Sequence, residues 1–233
     1  MLPFKDNIPT ERFPVITVLL IAVNIAVFFY ELSLEAAGRL DGFLTQYGMI
    51  PYEITHGVSL VPRGFPVFLT LVTSMFLHGG WLHIGGNMLY LWIFGNNVED
   101  SMGRFRFVVF YLGCGLIAGL AQIAVGPASL VPNIGASGAI AGVLGGYLLL
   151  FPRAKVTTLV FLVVFITVVQ LPAVVVLLFW FLLQLFNGLA VSGSGAGSDV
   201  AYFAHIGGFV AGLLSIKFFT FGKRRVHMKR SYL

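Results

Sequence analysis

Ser137 and His205 are the two side chains in this sequence that could act together as a nucleophile and its base. Ser137 stands in the tetrapeptide Gly-Ala-Ser-Gly, at the start of an apolar segment. A serine at a helix start is often only an N-cap, but its hydroxyl becomes nucleophilic when a neighbouring base takes its proton. His205 is the single histidine of a later apolar segment. At a helix N-terminus the backbone N–H of Ser137 would also stabilise an oxyanion.

His83 and Asn87 lie four residues apart and therefore share one face of a predicted helix. Both side chains can donate hydrogen bonds toward one point, as an oxyanion hole requires. The alternative role for Asn87 is a hydrogen bond that holds two membrane helices together. His78 and His83 are five residues apart and no H-E-x-x-H motif is present. We therefore expect neither a metal site nor another cofactor.

A third group that would orient His205 is not evident in the sequence. Asp199 is the nearest carboxylate, six residues upstream in the loop that includes the Gly/Ser-rich stretch Ser192–Ser198, and we expect it to be solvated. The pattern therefore favours a Ser–His dyad over a triad. Part of that stretch, Gly193–Gly197, resembles a phosphate-binding turn, but it follows no strand and lacks a lysine. It is predicted to be a mobile loop over the site.

These residues belong to a chain that is too apolar for a soluble domain. Of its 233 residues 58% are hydrophobic and 10% are charged, and the mean hydropathy is +0.94. Soluble domains are roughly 25% charged, so a soluble globule, a disordered chain and a nucleic-acid-binding domain are excluded despite the net charge of +5. The single cysteine, Cys114, excludes a disulfide framework and a cysteine zinc site. The remaining class is an all-α polytopic membrane protein.

Six apolar stretches are predicted to cross the membrane. They are Pro14–Leu34, Leu82–Asn97, Phe105–Val125, Ser137–Phe151, Thr167–Leu189 and Val200–Phe219. The first is too long for the apolar core of a signal peptide, so it is expected to be retained. Leu60–Gly80, which prolines and glycines interrupt, is predicted to be a loop with interfacial pieces. Val156–Ile166 is expected to lead into the fifth span rather than to form a seventh.

The chain is predicted to be one membrane domain, residues 1–233, with a short tail at 1–13 and a basic tail at 220–233. With six spans and a cytoplasmic N-terminus, 12 of the Lys and Arg residues fall on the cytoplasmic side and 2, Arg39 and Arg63, fall outside. This bias satisfies the positive-inside rule, so both termini are expected in the cytoplasm. Lys223–Arg230 is expected to contact anionic lipid rather than nucleic acid.

This orientation places the starts of the second, fourth and sixth spans at the outer face. All four candidate residues then lie at similar depth on three helices. Glycines recur every four residues in two of these spans, and small residues at that spacing allow close helix packing. They are Gly138, Gly142 and Gly146 in the fourth span and Gly208 and Gly212 in the sixth. Packing of these faces would bring Ser137 and His205 to the same end of one interface.

Three ordered motifs carry a family resemblance. They are His78-Gly-Gly-Trp-Leu-His83-Ile-Gly-Gly-Asn87, Gly135-Ala-Ser137-Gly138, and Ala204-His205-Ile-Gly-Gly208 with Gly212. With the stretch from Gly95 to Arg104, they make the chain resemble the rhomboid intramembrane serine proteases of bacterial type over about residues 10 to 220.

The resemblance implies a six-helix rhomboid-like bundle around a water-filled cavity that opens to the outer face of a bacterial cytoplasmic membrane. It implies Ser137 as the nucleophile, His205 as general base and acid, and His83 and Asn87 as oxyanion donors. It also implies transmembrane protein substrates, cut in or near their membrane helix. Two departures are present: Leu69-Thr70 stands where many members have Trp-Arg, and Ala141 where some members stack an aromatic ring on the histidine.

Other functions are weighed against this one. A non-catalytic rhomboid-like protein that binds membrane clients is the main alternative, and loss of Ser137 or His205 would favour it, but both residues are present. A transporter or channel would explain buried polar groups, yet no inverted repeat and no acidic residue in mid-span is evident. An intramembrane metalloprotease would need H-E-x-x-H, and an aspartyl protease would need two intramembrane aspartates.

Overall fold

A computed structural model describes residues 1–162, 165–194 and 200–222 of the chain, without the side chains of 161, 162, 165, 166, 193 and 194. Asp199, most of the glycine-rich loop and the basic tail Lys223–Arg230 lie outside the described residues. The helices are α1 (Val15–Ala36), α2 (Leu40–Tyr47), α3 (Pro51–His56), α4 (Thr70–Thr73), α5 (Trp81–Tyr90), α6 (Asn96–Met102), α7 (Arg104–Val125), α8 (Ser137–Leu150), α9 (Ala173–Ser194) and α10 (Tyr202–Thr220). The strands are β1 (Leu2–Asp6), β2 (Lys155–Leu162) and β3 (Phe165–Pro172).

Helix α8 lies at the centre of the bundle, packed against α7 and α10. Every residue from Gly138 to Leu148 is buried. Its 14 residues span about 21 Å at 1.5 Å per residue, less than the roughly 30 Å of a bilayer core. The helix is therefore too short to reach both membrane surfaces, and its first residue can lie within the membrane, in the wall of a cavity.

The contact between α8 and α10 is made through glycines, as the sequence spacing predicts. A methyl group on Gly208 would overlap the Gly138 carbonyl oxygen, and one on Gly212 would overlap the Gly142 carbonyl oxygen. On the other side of α8, a methyl group on Gly142 would collide with Cys114 of α7. Side chains larger than hydrogen would push the helices apart, so this interface fixes the distance between the helix that carries Ser137 and the one that carries His205.

The polytopic helical class predicted from sequence is confirmed. Among the described residues, four helices are long and apolar enough to cross a membrane: α1, α7, α9 and α10. A fifth candidate is a bent pair, in which the helical stretch Val67–Phe76 meets Trp81–Met102 at 83°. Helix α8 is apolar but shorter. The count of six spans stays a prediction. The predicted second span, Leu82–Asn97, lies within Trp81–Met102, and the bend precedes it, in the segment Leu60–Gly80 that was predicted to be a loop with interfacial pieces.

A three-stranded antiparallel sheet is the main departure from the predicted helices. Strand β2 pairs with both β1 and β3, and the β2–β3 pairing runs from Lys155↔Pro172 to Leu162↔Phe165. The predicted start of the fifth span at Thr167 is therefore wrong, because Thr167–Pro172 belongs to β3 and α9 begins at Ala173. The physical reason is composition: valine and threonine are frequent in this apolar run, and β-branched residues favour strands.

Polar contacts hold together the end of the bundle away from Ser137. The first residues, predicted to be a tail, form β1, and Asp6 at its end accepts hydrogen bonds from Tyr147 Oη (2.6 Å) and Asn97 Nδ2 (2.7 Å). Glu99 is buried and accepts bonds from the backbone N–H groups of Ile16 and Thr17, the first turn of α1. A carboxylate at a helix N-terminus satisfies unpaired donors and complements the helix dipole.

The segment between α1 and α5 is held by a buried ion pair. Arg63 donates to Glu53, to the Gln46 carbonyl oxygen and, at 2.9 Å, to the Thr45 carbonyl oxygen. The side chains of Arg63 and Glu53 are 1% and 0% exposed. Thr70, part of the pair Leu69-Thr70 that departs from the family pattern, is buried, and its hydroxyl donates a hydrogen bond to the Val67 carbonyl oxygen. Many family members have Trp-Arg at the position of Leu69-Thr70. In this chain, which lacks that pair, internal polar contacts hold the segment in place.

Candidate active site

The structure brings Ser137 and His205 into hydrogen-bond contact. Ser137 is the first residue of α8 and His205 the fourth of α10. The distance from Ser137 Oγ to His205 Nε2 is 2.7 Å. The glycine interface described above accounts for this proximity, because it holds the two helices together near their N-terminal ends. In this geometry the serine can donate its proton to the imidazole.

The second imidazole nitrogen of His205 contacts α9. Nδ1 lies 2.8 Å from Gln184 Oε1. One turn earlier on the same helix, the Trp180 ring lies 5.7 Å from the His205 ring at an interplanar angle of 38°. The sequence-based prediction includes neither residue. A polar residue after a long apolar run in the fifth span is the signal that could have revealed Gln184.

His83 lies beside the serine loop. Its Nδ1 accepts a hydrogen bond from the Gly79 backbone N–H at 3.3 Å, so a neutral His83 carries its proton on Nε2. A methyl group on Gly135 would lie 2.6 Å from His83 Nε2 and 3.6 Å from Ser137 Oγ. Gly135 also has a φ of +123°, a conformation that glycine adopts at no steric cost. A glycine here lets the imidazole N–H approach the serine.

Asn87 is held by a buried network behind the cavity. Its Nδ2 donates to His78 Nε2 at 3.0 Å, and the His78 backbone N–H donates to the Glu31 carboxylate of α1 at 3.1 and 3.2 Å. An amide NH₂ group has two hydrogens, so Asn87 keeps one that is not used by His78. Glu31 and His78 are 1% and 2% exposed. Glu31 does not appear in the sequence-based prediction; it connects α1 to the residue that orients Asn87.

One cavity of about 690 Å³ contains all four predicted residues in its wall. Its remaining lining comes from α5, α8, α9 and the segments that precede α5, α8 and α10. These include Leu82, Tyr90, Asn133, Leu144, Trp180 and Ala201. The cavity combines a mostly apolar wall with a few convergent polar groups, an arrangement typical of ligand and substrate sites. Among the residues described, no group of three or more His, Cys, Asp or Glu side chains could hold a metal ion.

The chain is similar to one known protein family and to several known proteins. A family model described as Rhomboid domain matches residues 66–221. The chain is 30% identical over 151 residues to "Rhomboid protein 1, mitochondrial" of Saccharomyces cerevisiae, covering 61% of this chain and 38% of that protein. It is 34% identical over 135 residues to "Rhomboid protease GluP" of Bacillus subtilis, covering 58% and 24%. It is 39% identical over 80 residues to "Rhomboid-like protein 11, chloroplastic" of Arabidopsis thaliana, covering 34% and 28%. The chain thus spans less than half the length of these relatives.

Proposed function

The chain belongs to the rhomboid family, and on that premise we propose that it is an intramembrane serine endopeptidase. The observation that carries the proposal is the 2.7 Å separation between Ser137 Oγ and His205 Nε2 in the wall of a cavity. A serine that hydrogen-bonds an imidazole nitrogen can transfer its proton there as it attacks a carbonyl carbon.

In the proposed acylation step, Ser137 Oγ attacks the carbonyl carbon of the scissile peptide bond while His205 Nε2 accepts the hydroxyl proton. The tetrahedral intermediate collapses, the C–N bond breaks, and His205 gives the proton to the leaving amine. Water then attacks the ester carbonyl carbon and gives a proton to His205. When the second intermediate collapses, the ester C–O bond breaks, His205 returns the proton to Ser137 Oγ, and the new carboxylic acid is released.

Three donors are proposed to stabilise the oxyanion of each tetrahedral intermediate. They are the Ser137 backbone N–H at the start of α8, the Nε2–H of His83 and the free amide hydrogen of Asn87. The support is their position: His83 Nε2 lies beside Gly135, and both His83 and Asn87 line the same cavity as Ser137. Donors held in place before the reaction stabilise developing charge without reorganisation.

The proposed substrates are transmembrane proteins, cleaved in or near a membrane helix. A peptide bond inside a helix has its carbonyl hydrogen-bonded, so the helix must unwind locally before Ser137 can attack. Small and helix-weakening residues near the cleavage site are therefore expected to favour cleavage. The enzyme is proposed to reside in the bacterial cytoplasmic membrane, in contact with lipid, with both ends in the cytoplasm and the cavity opening outward, as the distribution of basic residues favours.

The first prediction tests the nucleophile. The purified full chain in liposomes is incubated with a single-pass model substrate, and the products are measured by mass spectrometry. We expect Ser137→Ala to lower turnover roughly 10⁴-fold or more without changing the melting temperature. Ser215→Ala is the matched control, because Ser215 bonds its own helix at the Ala211 carbonyl oxygen, and it should retain turnover.

Labelling with a serine-directed electrophile gives an independent measurement. Ser137 should be labelled, and His205→Ala should slow labelling strongly, because the hydroxyl loses its proton acceptor. Undiminished cleavage by Ser137→Ala would refute the nucleophile assignment. A folded protein that neither cleaves the substrate nor is labelled, but co-purifies with the substrate, would favour the non-catalytic, client-binding alternative.

A further inference from the structure

Gln184 is a polar residue in the middle of an apolar helix. The eleven residues of α9 before it, Ala173–Leu183, are all apolar. An amide within such a segment is costly unless it has a hydrogen-bond partner. The partner that the structure supplies is His205, whose Nδ1 lies 2.8 Å from Gln184 Oε1. The polar group therefore has a specific contact, and that contact is on the proposed general base.

The direction of this hydrogen bond decides whether the His205 nitrogen that faces the serine is free to act as a base. A side-chain amide oxygen only accepts hydrogen bonds, so Nδ1 must be the donor. A neutral imidazole carries one proton, and Nε2 is then left with its lone pair. Nε2 is the atom 2.7 Å from Ser137 Oγ. Gln184 thus favours the tautomer that can accept the serine proton.

Trp180 restricts the same ring from the same helix. It lies one turn before Gln184, with its ring centroid 5.7 Å from that of His205. It also contacts the Phe209 ring, 6.2 Å away on α10. The tryptophan limits the tilt of the imidazole, while the Gln184 bond limits its rotation. In some rhomboid proteases an aromatic ring at the position of Ala141 stacks on the histidine. Here Ala141 is a buried alanine of the core, and Trp180 and Gln184 restrict the histidine ring instead.

We propose that Gln184 is a positioning residue of the Ser137–His205 pair: it accepts the Nδ1–H bond and so holds the imidazole with Nε2 toward Ser137. This inference rests on the proposed function. A neutral amide provides orientation and the correct tautomer but lacks the full negative charge that an aspartate would place beside an imidazolium. The pair is then a dyad oriented by an amide rather than a triad completed by a carboxylate.

The second prediction compares two substitutions at this position. Gln184→Met keeps an unbranched side chain of similar length and removes the acceptor. Gln184→Glu retains an acceptor oxygen whether or not the carboxyl group is protonated. We expect Gln184→Met to lower kcat at least about tenfold with little change in KM, and to slow electrophile labelling of Ser137 by a similar factor. Gln184→Glu should be closer to the wild type in both measurements.

Asn187→Leu is the matched control on α9. It removes a polar side chain one turn further along the same helix without removing the acceptor of His205. Its kcat should stay within about twofold of the wild type. The melting temperature of each variant is measured in the same preparation, so that kcat is expressed per folded molecule. A general loss of polarity on α9 would affect Asn187→Leu and Gln184→Met alike, whereas loss of the acceptor affects only the latter.

The tautomer itself can be read without turnover. NMR of isotope-labelled histidine, assigned by difference from His205→Ala, should show His205 protonated on Nδ1 in the wild type and a mixture of tautomers in Gln184→Met. A wild-type His205 protonated on Nε2, or a Gln184→Met variant with unchanged kcat per folded molecule, would overturn the positioning role. Failure of the proposed function is a different result, in which the wild type neither cleaves nor is labelled at Ser137.

Discussion

The two ends of α8 hold hydroxyl groups with different partners. At its first residue, the Ser137 hydroxyl hydrogen-bonds His205 Nε2 in the wall of a cavity of about 690 Å³. Ten residues later, about 15 Å along the axis, Tyr147 donates a hydrogen bond to Asp6, the last residue of β1, which also accepts one from Asn97. Asp6 lies in the wall of a second cavity, of about 750 Å³. The helix itself is buried and apolar between them. The two pairs differ in the partner of the hydroxyl: an imidazole can take a hydroxyl proton and return it, whereas the Asp6 carboxyl group joins β1 to the buried helix. The difference teaches that the partner of a hydroxyl, rather than a neighbouring cavity, decides what the hydroxyl can do.

The comparison predicts that substitutions at the two ends affect different quantities. At the Ser137 end, the hydrogen bonds are proposed to act on charge that develops during the reaction, so their loss should appear in turnover. At the Asp6 end, they join β1 to the buried Tyr147 in the ground state, so their loss should appear in the free energy of unfolding. The three predictions below run from the largest expected effect to the smallest.

Asn87→Ala should lower kcat by about 10- to 10³-fold, the range for removal of one oxyanion donor with partial compensation by others. KM should change little, because the donor acts mainly in the transition state. Steady-state kinetics and thermal melting of the same preparation measure both effects. The control is Asn24→Ala, which removes a buried amide that bonds the Leu20 carbonyl oxygen in its own helix. A destabilised Asn87→Ala with normal turnover per folded molecule would leave Asn87 as a helix-packing residue.

Tyr147→Phe should lower the free energy of unfolding by roughly 1–3 kcal/mol, since Asp6 loses a hydrogen bond from a buried donor. Turnover per folded molecule should not change. Denaturant unfolding in detergent, with activity measured in parallel, provides the test. Tyr111→Phe is the matched control: the Tyr111 hydroxyl is buried and has no hydrogen-bond partner among the described residues, so its loss should cost little. A larger effect on turnover than on stability would contradict the separation of the two ends.

Asp6 should make stability depend on pH. Burial is the main cause that raises the pKa of Asp6 from 3.8 to about 6, and the Tyr147 hydrogen bond opposes the rise. The folded state then binds a proton more readily than the unfolded state between about pH 4 and 6. Stability from this group is therefore present below pH 4 and lost as the pH rises through 6. Melting between pH 4 and 7 should show a decrease of a few degrees at most, which Asp6→Asn removes; an unchanged slope would refute this assignment.

Local spacing explains why much of the bundle could be predicted from the sequence. Glycines every four residues predict a close helix contact, and that contact brings together the helix ends that carry Ser137 and His205. Gln184 was not predicted because its role depends on a contact with a residue 21 positions away, which no periodicity encodes. The ion pair between Arg63 and Glu53 was not predicted for the same reason, because it also depends on a contact that no periodicity encodes. The strands β2 and β3 were not predicted because an apolar run between two membrane segments has the same hydropathy as the start of a span.

The short length of α8 has a consequence for how the protein is made. A 14-residue apolar segment is too short to be inserted as an independent span, and its glycine faces bind strongly only to neighbouring helices that are already in the bilayer. α7 precedes α8 in the chain, whereas α10 follows it, so the final packing of α8 must wait for α10 to leave the ribosome. Ser137 and His205 therefore come together only after α10 has been made. A nascent chain that still lacks α10 has no assembled pair, so the proposed activity cannot begin before that helix has joined the bundle.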